Sequence, residues 1–91
     1  MKAYSSYNLL KKIINDIDPI GLIDADTPES LNEYDPEIRE ILKEDVSLLS
    51  LEKLSDKIHN VFIEFFNEEL AGEKKQYNLI AKKFLEEKAK S

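Results

Sequence analysis

Between Ser50 and Gly72 the apolar residues Leu51, Leu54, Ile58, Val61, Phe62 and Phe65 recur at steps of three and four. That period is one face of an α-helix, so the chain is committed to helices that must bury a stripe. Ser50 predicts an N-cap and Gly72 a C-terminal stop, giving a helix from Ser50 to about Leu70. No segment sustains the two-residue alternation of a half-buried strand.

Three more helices are expected around it. Tyr7, Leu10, Ile14 and Ile17, with Ile13 beside them, predict a first helix from about Tyr4 to Ile17, capped by Ser5 or Ser6. Asp18-Pro19 ends it, because the residue before proline is pushed out of the α region. A second helix opens at Asp35, an N-cap followed by Pro36 at the first helical position and by Glu37 at the positive end of the dipole. Ile38, Ile41 and Leu42 give it an apolar face, and it should end near Asp45. The last helix runs from about Glu73 to Lys88, with Tyr77, Ile80, Ala81, Phe84 and Leu85 facing inward. The lysines and glutamates on its other faces (Lys74, Lys75, Lys82, Lys83, Glu86 and Glu87) are expected to be solvated. With 91 residues there is room for one core only. The expected architecture is therefore a single all-α domain, a small four-helix bundle spanning 1–91, with a long ordered acidic loop between the first and second helices.

That loop holds the chain's most uneven charge. From Ile13 to Ile38 there is no Lys or Arg, but there are eight carboxylates: Asp16, Asp18, Asp24, Asp26, Glu29, Glu33, Asp35 and Glu37. The net charge of −6 is thus concentrated there, and it disfavours binding to phosphate backbones while favouring a basic partner. Pro19-Ile20-Gly21-Leu22 supplies apolar side chains around a glycine free to take a positive φ. One reading has Ile20, Leu22 and Ile23 plugging an end of the bundle while the aspartates cap backbone donors. The other makes the carboxylates a docking surface. The absence of cysteine excludes disulfides and thiolate metal sites. The N-terminal MKAYSSYNLLKK lacks the form of a signal peptide, and no apolar run reaches membrane-spanning length. A soluble, cytoplasmic protein is expected.

Asp18-Pro19-Ile20-Gly21-Leu22, followed after an acidic spacer by Glu33-Tyr34-Asp35 and then by a leucine-rich helix, resembles a family of small bacterial all-helical proteins. Its members have no settled activity. They carry a Trp/Ile-Asp-Pro-Ile/Leu-Gly signature and a Tyr-Asp pair opening the next helix. The resemblance covers roughly residues 7 to 70, with Ile17 standing where tryptophan is common. Some such proteins look phage-related, and others sit beside delivered toxins, which implies immunity functions. On this resemblance Asp18, Pro19, Gly21, Asp35 and Pro36 form the structural motif.

Catalytic chemistry finds little support. His59 has Ser55 and Asp56 nearby in sequence, but nothing marks a completed relay or an oxyanion site. Asp24 to Asp35 opens Asp-x-Asp like a twelve-residue calcium loop, yet Pro28 takes the fifth position and Glu29 the sixth, where an oxygen ligand and glycine are required. No catalytic residue, metal or cofactor is expected. The expected function is that of a non-catalytic binding protein, of immunity or antitoxin type, neutralising a basic toxin domain such as a nuclease. Asp24, Asp26, Glu29 and Glu33 are the expected contacts, with Tyr34 as an aromatic anchor. The alternative is a phage-related or housekeeping structural protein that self-associates through the long third helix. Ile63 and Phe66, on a face adjacent to its main stripe, would be the homodimer contact.

Overall fold

A computed structural model describes residues 6–24 and 26–90. These form five α-helices and no strand: α1 (Ser6–Ile17), α2 (Asp35–Ile41), α3 (Leu51–Phe65), α4 (Glu68–Ala71) and α5 (Lys74–Lys90). Two 3-10 turns, Pro28–Asn32 and Val46–Leu48, lie in the connections. No helix is long and apolar enough to cross a membrane. The expected cap at Ser5 and the start at Tyr4 fall outside the described residues.

The core is built where the periodicity places it. Leu10 and Ile14 from α1, Ile38 and Ile41 from α2, Leu54, Ile58 and Phe62 from α3, and Tyr77, Ile80, Ala81 and Phe84 from α5 are fully buried. α3 packs chiefly on α5, α5 also meets α1, and α2 closes against α1 and α3. Lys88 Nζ donates to Ser6 Oγ at 3.1 Å, and Gln76 Nε2 reaches the Pro19 carbonyl at 3.4 Å, so α1 and α5 run antiparallel.

Several local signals act as expected. Ser50 Oγ accepts from Lys53 N at 3.2 Å and opens α3. Gly72 takes φ 76 where the chain leaves α4, and its N–H donates to Glu68 O. Asp35 and Pro36 are the first two residues of α2, one position further into the helix than an Asp35 cap would place them.

Three expectations are corrected. α2 stops at Ile41 rather than near Asp45, because Asp45 is engaged elsewhere: its Oδ1 accepts from Ser47 N at 3.1 Å and Ser47 Oγ at 2.6 Å. That cap starts the turn that buries Val46. The third helix is not continuous to Leu70. It ends at Phe65, and Asn67 takes φ 137 while its Oδ1 accepts from Leu70 N at 2.8 Å, starting α4 in a new direction. The bend brings Ala71 into the core, where its carbonyl accepts from the buried Tyr77 hydroxyl. Burial then raises the Tyr77 pKa to about 12. Finally, two residues of the expected stripe lie outside it: Leu51, exposed at the start of α3, and Phe65 at its end. Phe65 is 46% exposed, whereas Phe66 is half-buried with its ring 5.9 Å from Phe62.

Candidate functional site

The chain from Asp18 to Tyr34 is fixed by two hydrogen-bonded turns. Asp18 ends α1 with φ 52, a left-handed conformation that Asp tolerates better than most residues. Gly21 N donates back to Asp18 O at 3.1 Å, closing a turn with Pro19 at its second position, and Gly21 itself takes φ 82. The Asp18 carboxylate then gathers the donors that follow. Its Oδ1 accepts from Leu22 N at 2.8 Å, and both oxygens lie 3.3 Å from Ile23 N. The same Oδ1 accepts from the Tyr34 hydroxyl at 2.6 Å, and that hydroxyl accepts from Ile20 N at 3.1 Å. Ile20, Leu22 and Ile23 pack against the core. Asp18-Pro-Ile-Gly and Tyr34 are therefore two halves of one knot, joined across sixteen residues.

This corrects the expected role of Tyr34. Its side chain is 0% exposed, its ring centroid is 5.7 Å from that of Phe62, and burial followed by the bond to Asp18 raises its pKa. A partner cannot use it as an anchor without unfolding the turn.

Asp24 begins the second turn. Its Oδ1 accepts from Asp26 N at 2.9 Å and its Oδ2 from Thr27 Oγ1 at 3.3 Å, the local pattern that favours aspartate in turns. Buried Ser30 bridges the backbone of Asp24, accepting from its N–H at 2.8 Å and donating to its carbonyl at 3.1 Å. α1 holds this turn from the side: Asn15 Nδ2 donates to Leu31 O at 2.9 Å, and Lys11 Nζ lies 2.7 Å from Asn32 Oδ1 and 3.1 Å from Asp35 Oδ1.

The eight carboxylates thus divide by task. Asp18 and Asp24 organise backbone, and Asp35 pairs with Lys11. Glu37 is 3% exposed with Oε1 unpartnered. Asp26, Glu29 and Glu33 are exposed and make no side-chain bond or ion pair among the described residues, while Asp16 is exposed on α1. Of the four expected contacts, Asp24 is exposed but already bonded within its own turn, whereas Asp26, Glu29 and Glu33 carry no such bond. Gly21→Val is expected to lower stability by about 1 kcal/mol, the low end for a side chain forced to a positive φ. No neighbouring heavy atom lies within 4 Å of the added Cβ, so the cost is conformational. Gly21→Asn should lose less, and equal denaturant midpoints for parent and Gly21→Val would refute the assignment.

Other expected residues do not converge on a site. His59 Nε2 lies 3.0 Å from Gly72 O and its ring stacks on Tyr77 at 4.8 Å, while Asp56 pairs with Lys74. Ser55 is buried and accepts from Asn78 Nδ2 at 3.2 Å. No group of three or more His, Cys, Asp or Glu is placed to hold a metal among the described residues. Ile63 and Phe66, the expected oligomer contact, are half-buried and packed on the core. The apolar side chains left exposed nearby are Phe65 and Leu70. Comparisons with protein-family models, curated proteins and solved structures find no match for this chain.

Proposed function

We propose that this chain is a non-catalytic binding protein, bundle-like in build, whose acidic connection between α1 and α2 docks a basic protein partner. A toxin domain that must itself attract phosphates, as a nuclease does, is the partner class this chemistry suits. One observation carries the reading: Asp26, Glu29 and Glu33 are exposed and unpaired on backbone that two turns and α1 hold still. Such a surface presents negative charge without a backbone ordering cost on binding, and unpaired like charge opposes folding rather than supporting it.

The triple variant Asp26→Asn, Glu29→Gln, Glu33→Gln should keep the thermal midpoint equal to or slightly above the parent's. Against a basic partner captured from the native host and then purified, it should associate about tenfold more slowly, and the parent's on-rate should fall as salt rises. Capture indifferent to both the substitutions and the salt would overturn the reading.

A further inference from the structure

The bend between α3 and α4 leaves an apolar surface that the fold does not use. Phe65 is 46% and Leu70 55% exposed on either side of Asn67. Between them in the chain, Glu68 and Glu69 are exposed and make no ion pair among the described residues. No Lys or Arg occurs from Ile58 to Glu73. Whatever covers this patch must offer apolar surface rimmed by positive charge.

The same chain carries such a surface. On α5, Lys75, Leu79 and Lys82 fall at i, i+4 and i+7, one helical face. Leu79 is 44% exposed, and both lysines are exposed without an ion pair among the described residues. With Gln76, Asn78 and one carboxylate, Glu73, these side chains line an open, shallow concave surface whose two lysines leave it net positive. The acidic patch meeting itself would oppose glutamates with glutamates, so a symmetric patch-to-patch contact is disfavoured. An unlike contact is complementary in both polarity and charge.

We propose that a second copy of this chain docks its Lys75–Leu79–Lys82 face onto the Phe65–Leu70 patch. The contact joins unlike surfaces, so it either closes as a reciprocal pair or continues as an open chain. None of its residues belongs to the acidic connection, so it stands or falls apart from the partner reading above.

Sedimentation velocity over a range of protein concentration tests it with three variants whose helical circular dichroism is checked first. Glu68→Lys/Glu69→Lys and Lys75→Glu/Lys82→Glu should each self-associate about tenfold more weakly than the parent, and mixing them should restore association, since each supplies the charge the other lost. Phe65→Ser should weaken association without altering any charge, and provides the test should a charge variant fail to fold. A parent that stays monomeric at all concentrations overturns the proposal. So does association that survives both charge variants, or variants that fail to recover on mixing. Loss of a foreign basic protein from the Glu68→Lys/Glu69→Lys variant, with a monomeric parent, would assign the patch to that protein instead.

Discussion

Replacing Asp18 with alanine is expected to lower the unfolding free energy by about 3 kcal/mol, because one carboxylate satisfies three part-buried donors at once. Leu22 N, Ile23 N and the Tyr34 hydroxyl would all lose their acceptor, and alanine would have to hold the φ of 52 without the local bonding that helps aspartate there. Asp18→Asn keeps Oδ1 for Leu22 and Tyr34 but brings an amide N–H against the Ile23 N–H, so it should cost about 1 kcal/mol. Tyr34→Phe removes a hydroxyl that donates to Asp18 and accepts from Ile20, and should cost about 2 kcal/mol. Because the two side chains share one bond, the double variant should cost clearly less than the sum. Urea midpoints for the four proteins measure this. Strict additivity, or an unchanged midpoint for Asp18→Ala, would mean that the connection is held by its apolar contacts alone.

The knot also explains what could be read from the sequence and what could not. Ser50, Pro36 and Gly72 act through backbone within a few residues, so their positions are visible in the chain itself. The pairing of Asp18 with Tyr34 spans sixteen residues and depends on where α2 returns beside the end of α1. A tyrosine next to Asp35, in the most acidic stretch of the chain, looks like surface until that return is known. The break in α3 was hidden for a different reason. Phe66-Asn67-Glu68-Glu69-Leu70 contains neither Gly nor Pro, and its apolar spacing continues the helix. Only the burial of Ala71 and the cap from Asn67 to Leu70 favour a bend, and burial is a tertiary fact. The exchange of Phe65 for Phe66 accompanies the break: Phe65, the last residue of α3, stays exposed, while Phe66 and then Ala71 turn onto the core. The all-helical class was fixed by periodicity, while the division of eight carboxylates into structural and free groups needed their partners.

Glu37 shows how far position alone can mislead, and it carries a prediction of opposite sign to the first. In the first turn of α2 a glutamate complements the helix dipole, which is how its place in the sequence reads. In the fold it is 3% exposed, and Oε1 has no partner. Loss of hydration raises its pKa above the ordinary 4.5, with Asp35 and Glu33 adding to the rise while its own backbone N–H and Arg39 oppose it. A carboxyl with a raised folded-state pKa favours folding most when neutral. Its contribution is fully present below the unfolded value and is lost as pH rises through the folded one. At pH 7 the buried charge is therefore a cost to the native state. Glu37→Gln should raise stability at that pH by about 1 kcal/mol, and Glu37→Leu, which also removes the unpartnered oxygen, by about 2 kcal/mol. For Glu37→Gln the gain should shrink towards zero as pH falls to about 4, below the unfolded carboxyl value. The hydrogen bonds from Ser47 lower the pKa of exposed Asp45, giving the opposite pH trend, but Asp45 is common to all three proteins and cancels in the differences. Denaturant unfolding of parent and variants at intervals from pH 4 to pH 8 gives the curves directly. A Glu37→Gln variant whose stability parallels the parent's throughout, or falls below it at pH 7, would show that Glu37 is held as a paired carboxylate and that its burial is no penalty.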